Sequence, residues 1–214
     1  MGARASGLED LIAAGHLLRA APTAPSAPEA WSRNGLAGRI AELSCADSPA
    51  ALTAALGLVR DAQRQGETAA WITPSANSFF PPDAAELGVD LDALAVVRVP
   101  RAADVPRAAD RLVRSGAFGL AVLDMGEERA ARVPIPLMSR LLGLASRHDA
   151  AVLILTGKRR GDPSLGPAIS LRAEARRARA PGGAYEVEVR AIEDKRRGPG
   201  WARADLHRGP AGLR

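Results

Sequence analysis

Between residues 39 and 156 short apolar runs alternate with segments of helical period, and this alternation limits the folds open to the chain more than any other feature. The runs GLAVLDM (119–125) and AAVLILT (150–156) show no polar alternation, as expected of strands buried on both faces. The pattern predicts strands over 39–45, 68–73, 94–99, 119–124 and 150–156, and helices over 49–65, 104–116 and 134–148, with a Pro-rich loop after the second strand. Strands of this kind joined through helices form an α/β fold, a mostly parallel sheet flanked by helices. After Gly157 the period changes to two, in AISLRAEARRAR and AYEVEVRAIED, split by Pro181, Gly182 and Gly183. These segments predict antiparallel C-terminal strands that extend the sheet.

At 214 residues and 47% hydrophobic, the chain can bury one sizeable core and carry a small appendage. The appendage is N-terminal. LEDLIAAGHLLRA places Leu8, Leu11, Ile12, Leu17 and Leu18 near one helical face, and APTAPSAPEA, with three prolines, follows it as an extended linker. The expected organisation is an amphipathic arm (1–20), a linker (21–34), a core domain (35–207) and a tail (208–214). An amphipathic helix must bury its face, either on its own core or on another chain, so Leu11, Ile12, Leu17 and Leu18 are partner-binding candidates and homo-oligomerisation is open. Phe79 and Phe80, adjacent in SANSFFPPDAAEL, are further candidates, and Trp31 is placed to pin the arm to the body.

The formal net charge of +5 is unevenly distributed: residues 157–214 carry 14 Lys/Arg against 7 Asp/Glu. Nearly all the cations are arginine, which suits phosphate and carboxylate recognition. Lys158, Arg159 and Arg160 follow the strand AAVLILT at its C-terminal edge, where α/β sheets place ligands. In the next strand Arg172, Glu174 and Arg176 share one face. These cations are the DNA-binding candidates. Aromatic residues make up only 3% of the chain, too few for a base-stacking platform, so any DNA contact is expected to be electrostatic and salt-sensitive. Cys45 is the sole cysteine, and His16, His148 and His207 lack ligand spacing, so neither an intramolecular disulfide nor a metal site is expected. No apolar run reaches the roughly 18 residues of a membrane span and the first residues do not resemble a signal peptide, so a cytoplasmic protein is expected.

The stretch RIAELSCADSPAALTAALGLV reads as strand, turn and helix, the place where many α/β proteins hold a nucleotide phosphate. A loop of the form G-x-x-x-x-G-K-[ST] uses glycines to wrap backbone amides round phosphates, lysine to neutralise them and a hydroxyl to hold magnesium. On that frame Cys45 and Ala50 stand for the glycines, Ala51 for the lysine and Leu52 for the hydroxyl, while Pro49 removes an amide. Asp47 or Ser48 instead makes a good N-cap and Pro49 a good first helical residue. The frame predicts a degenerate phosphate loop, no nucleotide cofactor and no catalytic residue.

GLAGRIAELSCADSPAALTAALGLVRDAQRQGETAAWIT, then LGVDLDAL and RSGAFGLAVLDM, resembles the RecA recombinase core in order and spacing. The resemblance implies a RecA-like fold. It also places Ser75 where that family has a catalytic glutamate and Gly157 where it has a phosphate-sensing glutamine, and it keeps only Asp124, at the metal-associated aspartate. A short RecA-like chain with SLGPAISLR leading into basic C-terminal strands is similar to the ImuA family, also labelled SulA-like or RecA-like. That similarity implies an accessory role in damage-induced translesion synthesis. The implied partners are ImuB, an inactive Y-family polymerase relative, RecA or a RecA–DNA filament, and indirectly an error-prone DnaE-type polymerase. A weak RecA-like ATPase or recombinase and a SulA-like cell-division inhibitor are the alternatives.

Overall fold

A computed structural model describes residues 30–44, 50–76, 79–126 and 132–208. The arm candidates Leu11, Ile12, Leu17 and Leu18, the turn residues Cys45 to Pro49, and the tail beyond Arg208 lie outside the described residues. The described chain forms helix α1 (Arg33–Leu36), strand β1 (Arg39–Ser44), α2 (Ala50–Arg64), β2 (Ala69–Pro74), α3 (Pro81–Glu86) and β3 (Leu94–Val99). It continues through α4 (Val105–Arg114), β4 (Leu120–Asp124), α5 (Ile135–His148), β5 (Ala151–Thr156), β6 (Ile169–Arg179), β7 (Ala184–Asp194) and β8 (Ala202–Arg208).

The strands form one eight-stranded sheet in the order β3-β2-β4-β5-β1-β6-β7-β8. Its first six strands are mutually parallel. Residues of opposite parity face opposite layers. On one side Leu43, Trp71, Val122 and Leu153 pack under the Ala-rich α2, and on the other Ile40, Ile72, Leu123 and Ile154 pack under α4 and α5. Burial on both sides is why β4 and β5 read as unbroken apolar runs. The predicted elements stand where expected to within a residue or two, and the Pro-rich loop also contains the short α3. The RSG of the β4 approach has a steric reason: Gly116 closes α4 at φ +71, and a Cβ there would lie 2.9 Å from Nδ1 of His148.

Two details sharpen the expected layout. β6 is antiparallel only to β7; on its other side it runs parallel to β1, and only β7 and β8 are antiparallel to all their neighbours. Residues 157–168 therefore carry the chain back from the C-terminal end of β5 to the start of β6 as a helix-free crossover. Ala30 and Trp31, within the span expected as linker, are buried. The Trp31 indole N–H donates to the Ala54 carbonyl at 3.4 Å, and the Trp31 carbonyl accepts from the Arg203 guanidinium at 2.7 Å. An aromatic ring next to a Pro-rich stretch can bury more area than any other residue nearby, and here it joins the α2-side core.

A buried ion pair fastens the C-terminal hairpin to the centre of the sheet. Arg39 of β1 and Asp194 at the end of β7 meet at 2.5 Å with both side chains almost fully enclosed. Arg39 also donates to the Ser170 hydroxyl and carbonyl and to the Gly35 carbonyl. Asp194 accepts in addition from the Arg196 and Arg197 backbone amides and the Trp201 indole. Burial pulls the Arg39 guanidinium down, and Asp194 restores only part of that, but arginine starts so high that it stays charged. Burial pushes the Asp194 carboxyl up, yet the Arg196 amide, Arg39 and Trp201 outweigh this and hold it below its ordinary value. Of the two directions, that of Asp194 governs behaviour in acid, because only the carboxylate titrates there. Its folded-state value lies below the unfolded one, so its stabilisation is present above about pH 4 and is lost as pH falls through the folded value. Replacing Arg39 by Met leaves a buried carboxylate unpaired and is expected to cost about 3–5 kcal/mol in denaturant unfolding. Asp194→Asn is expected to flatten the acid limb of the stability–pH curve.

Candidate functional site at the C-terminal edge of the sheet

Parallel strands end together, so β1, β2, β4 and β5 bring Ser44, Pro74, Asp124 and Thr156 to one edge of the sheet. The polar groups there divide between the two faces. On the α2 side, Asp124 is buried; one carboxylate oxygen accepts from the Thr73 hydroxyl at 3.0 Å and the other from the Gly126 amide at 2.9 Å. Ser75, just past β2, bonds back through its hydroxyl to the Val99 carbonyl at 3.1 Å. Ala50 and Ala51 open α2 with their methyls buried in the apolar core, and Leu52 is partly exposed. Residue 51 thus contributes packing at the head of α2 and no charge.

On the opposite side the centre is Glu42, fully buried in β1. Its carboxylate accepts from the Thr156 hydroxyl at 3.2 Å and the Leu165 amide at 2.9 Å, and lies 3.8 Å from the Lys158 ammonium. Lys158 donates to the Pro163 carbonyl at 2.8 Å, and Asp162 accepts from the Arg159 amide at 2.8 Å. The crossover 157–168 is therefore tied down over β1 by a carboxylate beneath it. Glu42 and Arg172 are register partners, and the Arg172 guanidinium donates to the Arg159 carbonyl at 2.7 Å.

Lys158 and Arg172, read from sequence as DNA-binding candidates, are both buried and turned into the crossover, and their positive charge is not displayed to solvent. The physical reason is the helix-free crossover, whose polar backbone needs internal partners. Arg159 is exposed, and Arg160 and Arg176 are 57% exposed, each 3.1 Å from the Glu174 carboxylate between them. The structure thus brings Arg159, Arg160 and Arg176 into one surface cluster and removes Lys158 and Arg172 from it. Phe79 and Phe80 also separate. Phe79 is buried against Trp71, with ring centroids 5.4 Å apart, whereas Phe80, just before α3, is 57% exposed. Sequence reading missed Glu42 and Arg39 as functional anchors; the available signal was a charged residue inside an otherwise apolar strand, where an unpaired charge is too costly to keep. Among the described residues no group of three or more His, Cys, Asp or Glu side chains is placed to hold a metal ion, and no helix is long and apolar enough to cross a membrane.

The order β1 then α2, with a strand-ending Asp124 on the α2 side, is accompanied by a family match: residues 31–139 match the RecA N-terminal domain. This chain belongs to that family. The match runs from Trp31 to the first turn of α5 and so includes Glu42, Ala51 and Asp124, whereas β5 to β8 and the crossover lie beyond it. The chain is 35% identical over 129 residues to the Protein RecA of Salinispora tropica, covering 56% of this chain and 37% of that protein. It is 39% identical over 132 residues to that of Kineococcus radiotolerans, again covering 56% and 37%. Over 87 residues it is 40% identical to that of Fusobacterium nucleatum, covering 41% and 23%. The chain spans well under half the length of these curated relatives.

The two classes of cation in this RecA-family chain should respond differently to mutation. Lys158→Met removes the ammonium 3.8 Å from a fully buried carboxylate, which keeps two hydrogen bonds; the expected cost is about 1–3 kcal/mol in urea unfolding. Arg159→Ala with Arg160→Ala should change stability by no more than about 0.5 kcal/mol.

Proposed function

We propose that this chain is a non-catalytic, RecA-like accessory protein of translesion DNA synthesis, of the ImuA type. It acts through contacts with ImuB, with RecA or with RecA-coated DNA, and so serves an error-prone DnaE-type polymerase. The observation that carries the reading is Ala51. In a RecA-family chain the head of α2 is where a lysine would meet nucleotide phosphates, and here that residue is a methyl enclosed in the apolar core. Ala50 beside it is equally enclosed, and Leu52 brings a hydrocarbon where a magnesium-binding hydroxyl would be needed. Asp124 alone supplies one carboxylate, already engaged by Thr73 and Gly126. A family member built this way retains the scaffold and its surfaces, and surfaces are what an accessory subunit uses.

Arg159, Arg160 and Arg176 are the groups of this site that suit a phosphate backbone, and with few aromatic residues available such a contact is electrostatic. Phe80 is an exposed apolar residue on the α3 side that fits a protein partner.

Titration calorimetry with ATP and magnesium tests the reading: no saturable binding is expected at millimolar nucleotide. Ala51→Lys should not restore binding. It should instead destabilise the protein by several kcal/mol, on the order of the cost of enclosing an unpaired ammonium in apolar surroundings. ATP hydrolysis by the wild type that Asp124→Ala abolishes would overturn the non-catalytic reading. Failure of the purified chain to capture purified ImuB or RecA would overturn the accessory role. For DNA, replacing Arg159, Arg160 and Arg176 with Ala should flatten the logarithmic salt dependence by up to about three charges' worth, whereas Lys158→Met should leave it unchanged.

A further inference from the structure

A cleft of about 170 Å³ lies away from the sheet edge, between α2 and the antiparallel ribbon β7–β8. Its walls include Trp31, Gly57, Val187, Val189, Leu206 and His207. Leu206 is 69% exposed, the greatest exposure of any large apolar residue on β7 or β8, and a Cβ added at Gly57 would meet nothing within 4 Å. His207 stacks on Tyr185 with centroids 5.7 Å apart, and burial pulls its imidazole below the ordinary value, so at neutral pH this wall carries no added charge. The cleft is thus a slot of mixed lining, more polar than apolar, in which Arg60, Asp61, Arg203 and Asp205 stand beside the exposed Leu206.

We propose that this cleft is the intramolecular docking site of the chain's own residues 8–20. The argument for this occupant is one of position and reach. Trp31, the second described residue, is itself part of the cleft wall, and its carbonyl is bonded by Arg203 of β8, so the preceding segment enters the described fold at the cleft. Residues 21–29 intervene; at about 3.1 Å per residue for a Pro-rich stretch they reach about 28 Å, enough to lay residues 8–20 back along the slot. Leu8, Leu11, Ile12, Leu17 and Leu18 supply apolar side chains that can cover the exposed Leu206, and Glu9 and Asp10 supply anions for Arg60. A tether this short holds the segment at an effective concentration of order millimolar, which a second copy at micromolar concentration does not match.

Cross-linking of the full chain tests the proposal. Cys45→Ser removes the native thiol, Ile12→Cys marks the arm, and Leu206→Cys marks the cleft. A control chain carries Ile135→Cys in place of Leu206→Cys, at a 69% exposed site on α5 across the sheet. With a short bismaleimide, the Ile12–Leu206 pair is expected to close within one molecule, about tenfold above the control and independently of tenfold dilution. Gly57→Trp, which fills the slot, is expected to reduce that yield about tenfold while the melting temperature of the described fold is retained. Products that are only dimeric and fade on dilution would assign the slot to a second copy and overturn the proposal. Equal yields in the two pairs, or a yield indifferent to Gly57→Trp, would overturn it as well.

Discussion

Strand β1 runs through the middle of the sheet, between β5 and β6 with helices or crossover on each face, and it carries two charged residues, Arg39 and Glu42, into that interior. Neither can stay there alone, because an unpaired buried charge costs about 3–5 kcal/mol, a large part of a typical domain's stability. Each therefore recruits a segment distant in sequence. Arg39 draws in Asp194 and, through Ser170, the start of β6; Glu42 draws in Thr156, Lys158 and Leu165. These two demands, the pairing of β6 with β1 and the packing of Leu171, Val187 and Val189 into the α2-side core together hold the C-terminal third of the chain to the parallel core.

This arrangement explains why the cations of the C-terminal region divide into two populations with different roles. Lys158 and Arg172 lie where the helix-free crossover needs internal partners and are consumed by it. Arg159, Arg160 and Arg176 project past it and are left to solvent and to Glu174. Beyond the other end of β1 comes the head of α2, where the small methyls of Ala50 and Ala51 join Trp71 and Val122 in one apolar core. In the proposed reading, a scaffold that once framed a nucleotide now uses that corner for packing.

The apolar runs of β4 and β5 and the Ala-rich α2 were legible because their periodicity is set by burial on both faces or on one, which any chain entering such a sheet must satisfy. The absence of lysine at position 51 was equally plain, since it is a matter of residue identity. The strand character of β6 was legible too, but not its parallel pairing with β1, because alternation reports which faces are wet and says nothing of a neighbour's direction. Phe79 and Phe80 were indistinguishable as adjacent aromatics, and the turn into α3 put one against Trp71 and the other outside.

By itself the sequence determined the α/β class and the order of elements, both of which follow from local pattern and residue type. Only the tertiary structure decided which basic side chains face water, because Lys158 and Arg160 have the same local signature and differ in whether Glu42 lies beneath them. It alone decided that Asp194 closes on Arg39, since a pair separated by more than half the chain leaves no trace in any window. Buried charge is satisfied through space, and sequence pattern records only what is satisfied along the chain.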